Sequence, residues 1–265
     1  MGRVERFGPD ELASALVLTF DNLGEASALE RGEQQVPTGR DPSVTRALPW
    51  LLDELDRHGL KATFFVEAIN CELYPDAVAG IAARGHELGH HGWSHEPWAQ
   101  LSPDDEREVL ARGLGAYKAL GLRPRGFRPP GGELTPDSPT VLRELGFTWC
   151  SPAGRDARIE DGLVYVPFEW ELVDAYHLMD SFGSLRAIRG YSEPSGAPAE
   201  VAERLVRGIG SGGRHTLILH PFLMLDEAWA VGTARVLDAV AALARSGDAW
   251  VVPGNVFADW QLARS

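Results

Sequence analysis

The chain is poor in cysteine and in lysine. Cys71 and Cys150 are its two thiols, without a Cys-x-x-Cys spacing, which excludes a disulfide framework and a thiolate zinc site and leaves two buried thiols as the expectation. Of 25 basic residues two are lysine, Lys61 and Lys118, a compositional bias that carries no mechanism. Against 38 acidic residues the net charge is -13, which argues against a nucleic-acid partner. Long apolar runs are missing too. No stretch approaches the roughly 18 residues of a membrane span, and Met1 to Leu12 carries charges where a signal peptide is apolar. A cytoplasmic protein with no membrane partner is the expectation. At 265 residues one core of ordinary size, hence a single domain over residues 1–265, suffices.

What is present is alternation. Ala15 to Asp21 is an apolar, β-forming run that ends on a carboxylate. Gly24 to Asp41 is long and polar, a plain loop or a flap facing the substrate. Helical spacing of Val44, Leu48, Leu51, Leu52 and Leu55 predicts a helix over Pro42 to His58, with Asp41 as its cap and Gly59 as its stop. A strand over Lys61 to Val66, a helix over Asp76 to Arg84 and a short strand over His86 to Gly89 follow. Next come a helix from Pro103 to about Leu120, capped by Ser102, a strand over Arg125 to Arg128 and a helix over Thr135 to Leu145. Strands at Phe147 to Cys150 and Leu163 to Phe168 lead into an irregular region reaching about Pro198. The chain closes with a helix over Ala199 to Ile209, a strand over Thr216 to His220, a helix over Glu227 to Ser246 and a strand over Trp250 to Val252. This rhythm predicts an α/β fold with a mostly parallel sheet, closed into a barrel or open and doubly wound, with ligands at the C-terminal strand ends.

Gly85 to Trp98 holds four of the eight histidines. His91 and His95 stand four apart, a spacing at which two imidazoles can meet one divalent cation. Gly89, Gly92 and Pro97 place them on a loop past a strand end. Other strands end on Asp21, Arg128 and His220. Together these residues comprise metal ligands, a base, a cation and an acid, the equipment for metal-assisted hydrolysis. Taken singly, Asp21 could cap a turn, Arg128 could form a surface ion pair and His220 could be a satisfied core histidine.

The order Thr-Phe-Asp21-Asn22, His91-Gly-Trp-Ser-His95, Arg128-Pro-Pro and Leu-Ile-Leu-His220-Pro221, with Lys61-Ala-Thr-Phe-Phe-Val, resembles the polysaccharide deacetylase family, carbohydrate esterase family 4 with the NodB-homology fold. The resemblance implies a distorted (β/α) barrel holding a divalent cation, zinc by first expectation, with cobalt, nickel or iron as alternatives. It implies that His91 and His95 are metal ligands, Asp21 the base, His220 the acid and Arg128 the residue that orients Asp21, with Pro129 beside it on the substrate side. Where the family has a second aspartate as third ligand this chain has Asn22, whose amide oxygen is a poorer zinc ligand. The family's acidic, tryptophan-containing segment would fall in Pro167 to Tyr176, so that Trp170 lines the pocket and Asp174 or Glu171 pairs with His220 and raises its pKa. Trp93 and Trp170 are each candidates for substrate contact or for core packing.

Trp250 to Trp260 and Pro167-Phe-Glu-Trp are similar to the allantoinase-like branch of small-molecule amidohydrolases. The expected activity is hydrolysis of a C–N amide bond in a small N-acyl or cyclic amide. The alternatives are a metal-independent ureide hydrolase and a non-catalytic ligand-binding relative. By analogy a homo-oligomer is expected.

Overall fold

The computed structural model describes residues 5–189 and 196–265. The first four residues of the charged N-terminus and the part of the irregular region at 190–195 lie outside the described residues.

The first strand, β1 (Ser14–Asp21), is buried along its whole length. Leu16, Leu18 and Phe20 pack outward against apolar side chains of the helices Leu48–His58, Pro198–Ile209 and Glu227–Ser246. Ala15 and Val17 join a separate inner cluster. Because successive side chains of a strand point to opposite faces, Thr19 and Asp21 share the inner face with Ala15 and Val17. Strand parity thus aims the Asp21 carboxylate into the curl of the sheet.

Around β1 are β2 (Thr63–Val66), β3 (Glu87–His90), β4 (Gly126–Phe127), β5 (Trp149–Cys150), β6 (Arg158–Glu160), β7 (Leu163–Tyr165), β8 (Gly213–Leu219) and β9 (Trp250–Val252). Their order is β6-β7-β5-β4-β3-β2-β1-β8. The pairs are parallel except for β6 with β7. β2 pairs with the C-terminal half of β1, from Thr19, and β9 with its N-terminal half, from Ala15 to Val17.

Closure of the curl is incomplete as a ladder. Beyond β7 the Pro167 carbonyl accepts from Arg214 Nη1 at 2.7 Å and from Thr216 Oγ1 at 2.9 Å, and Val173 makes a single bridge to Ile218. This is the distorted barrel that the family resemblance implies.

The inner cluster fills the barrel with Val17, Phe65, Trp149, Val164 and Val166, and Phe7 and Phe257 plug its N-terminal end. Burying one such apolar side chain stabilises by about 1.5–3 kcal/mol. Trp149 fits because two neighbours lack a Cβ: one added at Gly126 or Gly254 would stand 2.3 Å or 2.1 Å from its ring.

Several boundaries differ from the sequence reading. The helix placed at Thr135 begins at Ser138, because Ser138 Oγ accepts from the Thr135 N–H at 3.0 Å and fixes a turn first. The polar segment after Gly24 holds a short helix, Ala26–Glu30. The irregular region contains the helices Asp174–Leu178 and Gly183–Ile188, each under two turns and too short for apolar periodicity to reveal. A final helix, Gly254–Leu262, follows the last strand and was not foreseen; Pro253 precedes it.

Candidate active site

At the C-terminal end of the strands lies a cavity of about 560 Å³ lined by Asp21, Asn22, His91, His95, Arg128 and His220. It is within the usual size range of small-molecule sites.

Arg128 is 1% exposed and Asp21 5%. Arg128 Nη1 donates to Asp21 Oδ1 at 2.6 Å and to Thr19 Oγ1 at 2.8 Å, while Nη2 donates to Ser151 Oγ at 2.8 Å. Its guanidinium carbon also lies 4.2 Å from the centre of the Phe65 ring. Burial lowers the guanidinium pKa from its ordinary value, and Asp21 opposes that shift. A buried charge needs such partners. They fix Arg128, and Arg128 in turn fixes the plane of the Asp21 carboxylate. Thr19 and Ser151 were missed in the sequence. Thr19 was discoverable there, since it stands two residues before Asp21 on the same strand face.

β3 ends in two histidines with opposite fates. His90 turns outward and is buried beside Tyr117, against the backbone of Gly113. His91 turns inward, and its Nδ1 lies 2.8 Å from the Arg128 carbonyl oxygen. A carbonyl only accepts, so Nδ1 carries the hydrogen and Nε2 keeps its lone pair. The His91 and His95 ring centres are 5.1 Å apart at an interplanar angle of 75°. Both pKa values are pushed down to about 3, for His91 by burial above all, for His95 by burial and then by His91. Both rings are therefore neutral near pH 7, the form that donates a lone pair.

Asn22 and His95 both have left-handed backbone, with φ of 58° and 71°. Asparagine tolerates that conformation better than most residues, whereas for histidine it is a local strain held by its surroundings. Glu96 supplies part of that support, accepting the backbone N–H groups of Trp93 and Ser94 at 2.9 Å each.

As a metal site the donors fit in part. Two neutral imidazoles, one oriented through its second nitrogen by a carbonyl, are suited to a divalent cation. Asn22 lines the same cavity with a neutral amide, and among the described residues no group of three His, Cys, Asp or Glu side chains is placed to hold a metal ion.

On the opposite wall His220 closes β8. Its ring Nδ1 lies 2.5 Å from Asp174 Oδ1, and its backbone N–H donates to Asp174 Oδ2 at 2.9 Å. Asp174 is fully buried and also accepts from Trp229 Nε1 at 3.2 Å and from the Ala175 N–H at 2.7 Å. Burial by itself depresses the His220 pKa; the adjacent Asp174, and then Asp21, outweigh it and leave the pKa above its ordinary value. Between the two acids left open by the sequence, the geometry selects Asp174. Glu171 instead pairs with Arg189 at 2.7 Å.

Pro129 and Trp170 line the cavity. Trp93 does not; it packs in the outer core with the Arg112 guanidinium 3.5 Å above its ring. The sequence carries no local signal for Trp229, which is brought to Asp174 from 55 residues away by the packing of the helix Glu227–Ser246.

The polysaccharide deacetylase family model matches residues 10–150. The peptidoglycan-N-acetylglucosamine deacetylase of Bacillus cereus is 38% identical over 100 residues, 37% of this chain and 36% of that protein. Chitin deacetylase 1 of Saccharomyces cerevisiae is 36% identical over 89 residues, 33% of this chain and 30% of that protein. The aligned stretch thus spans about a third of these curated relatives. Among solved structures, a Mycobacterium smegmatis protein assigned to the polysaccharide deacetylases has a TM-score of 0.82 at 27% identity, covering 100% of this chain and 95% of that one. Puue allantoinase, at 17% identity, shares the fold with a TM-score of 0.73 over 95% of this chain and 91% of that one. With more than half of its length matched by the family model, the chain belongs to the polysaccharide deacetylase family.

Proposed function

We propose that this protein hydrolyses a C–N amide bond in a small N-acyl or cyclic amide. The observation that carries this reading is the convergence of Asp21, His91, His95, Arg128 and His220 on one cavity.

Asp21, oriented by Arg128, takes a proton from the attacking water. Asp174 favours the protonated form of His220, which presents its other ring nitrogen, Nε2, to the departing nitrogen; the nitrogen leaves as an amine once protonated. His91 and His95, with Asn22 as third donor, would hold a divalent cation, zinc in the first instance. When bound, the cation supplies Lewis acidity toward water and the acyl oxygen. The general acid and base need no rearrangement, because each is already fixed by a buried partner.

The test is hydrolysis of a panel of small amides and ureides, read as appearance of a new carboxylic acid by proton release, with and without added zinc, cobalt, nickel or iron. Turnover by wild type that is lost in Asp21→Asn and in His220→Gln is the expected result. Absence of turnover on every amide, with the protein folded and loaded with each cation, would leave a ligand-binding relative instead.

A second reading draws on Asn22. With an amide in place of a carboxylate, a ureide hydrolase that works without tightly held metal is compatible with the same acid and base. Turnover that survives exhaustive chelation would select it.

A further inference from the structure

One wall of the cavity is built from Phe168, Trp170, Met179, Phe182, Leu185 and Phe222. Phe168 meets Trp170 edge-on at 5.1 Å between ring centres, and Trp170 meets Phe182 at 5.3 Å. Among the described residues, the polar side chains on the lining other than Asp21, Asn22, His91, His95, Arg128 and His220 are Arg31 and Ser181, with the Trp170 indole nitrogen. A sugar ring desolvated there would leave most of its hydroxyls without partners, at about 1–3 kcal/mol for each group left unsatisfied. An aryl or bulky alkyl group would bury its surface at no such penalty.

The position of this wall matters as much as its composition. It is formed by the segments that carry Asp174 and His220, and Phe222 lies edge-on to the His220 ring at 5.4 Å between centres. His91 and His95 come from another part of the sheet, the loop after β3.

We infer that the substrate is an amide whose leaving amine bears a bulky apolar substituent, aromatic or branched aliphatic, seated against Trp170 and Phe182. This rests on the amide-hydrolase reading, with His220 as the group that protonates the amine. The reaction is hydrolysis. Water adds to the acyl carbon, the C–N bond breaks with its electron pair going to nitrogen, nitrogen takes a proton from His220, and a carboxylic acid and the apolar amine leave.

The test compares N-acetyl-2-phenylethylamine with N-acetylglucosamine, which share the acyl group and differ in the amine, and adds N-phenylacetylglucosamine, in which the apolar group is on the acyl side. Expected is a kcat/KM for N-acetyl-2-phenylethylamine at least roughly tenfold above either sugar amide. Trp170→Ala and Leu185→Glu should each narrow that preference by about tenfold, mostly through KM. Both positions are partly exposed, so either variant checks the other against a folding defect. Equal or better turnover of a sugar amide overturns the inference and leaves the hydrolase reading standing. If no amide is turned over, binding of N-acetyl-2-phenylethylamine is measured by calorimetry on wild type and on Asp21→Asn. Binding that Trp170→Ala abolishes supports the apolar site while the hydrolase reading fails. Binding that is absent, or insensitive to Trp170→Ala, overturns it.

Discussion

Asp174 grips His220 at two points, its Oδ1 2.5 Å from the ring Nδ1 and its Oδ2 2.9 Å from the backbone nitrogen. One carboxylate thus sets both the place and the charge of the ring. Asp174 was one of two acids within four residues that the sequence left open. What separates them is that Asp174 is fully buried and Glu171 faces Arg189.

Removing that charge has a defined sign. In wild type the His220 pKa is raised, so the imidazolium persists to higher pH. Asp174→Asn deletes the main raising influence, and the alkaline limb of the kcat/KM profile should move to lower pH. Activity at pH 8 should then fall by a larger factor than activity at pH 6. A parallel drop at all pH values would show that Asp174 acts through packing alone.

Arg128 and Asp21 form a buried pair at 2.6 Å. Arg128→Met leaves the carboxylate without its cation, a loss of about 3–5 kcal/mol in unfolding free energy by urea titration. Asp21→Asn combined with Arg128→Met should recover much of that loss while remaining inactive. Activity in the double variant above about a thousandth of wild type would remove Asp21 from its role as base.

Asn22 can be tested by restoring the missing charge. Asn22→Asp should tighten zinc binding by at least about tenfold, read by competition with a chromogenic chelator. His91→Ala should abolish binding in both backgrounds. Unchanged affinity in Asn22→Asp would mean that the side chain at 22 is not a ligand.

Glu67 shows how the interior treats a carboxylate with too few partners. It is fully buried, with Oε2 accepting from the Leu23 N–H at 3.1 Å and Oε1 unpaired, and burial raises its pKa to about 8. A carboxyl whose folded pKa is raised supports the fold fully below its unfolded value, and that support is lost as pH climbs through the folded value. Glu67→Gln keeps the acceptor and removes the titration. The variant should match wild type near pH 4 and exceed it at pH 9 by on the order of 5 kcal/mol in chemical denaturation. Identical pH dependence in the two proteins would refute this.

By itself, the sequence determined the strand-and-helix rhythm, the placing of Asp21 at the end of a buried strand, and the candidates for acid, base and histidine pair. Those are local properties: a period of two fixes which face a strand residue occupies, and turn-forming glycines and prolines fix where a strand ends. Only the tertiary structure decided the contacts between distant segments. Thr19 and Ser151 meet on Arg128, Trp229 reaches Asp174, and Trp93 packs in the core while Trp170 lines the cavity. These depend on how the sheet curls and closes. The curl is set by cooperative packing of Phe65 and Trp149 against glycines and the last helix, a sum over many residues that no single stretch of chain encodes.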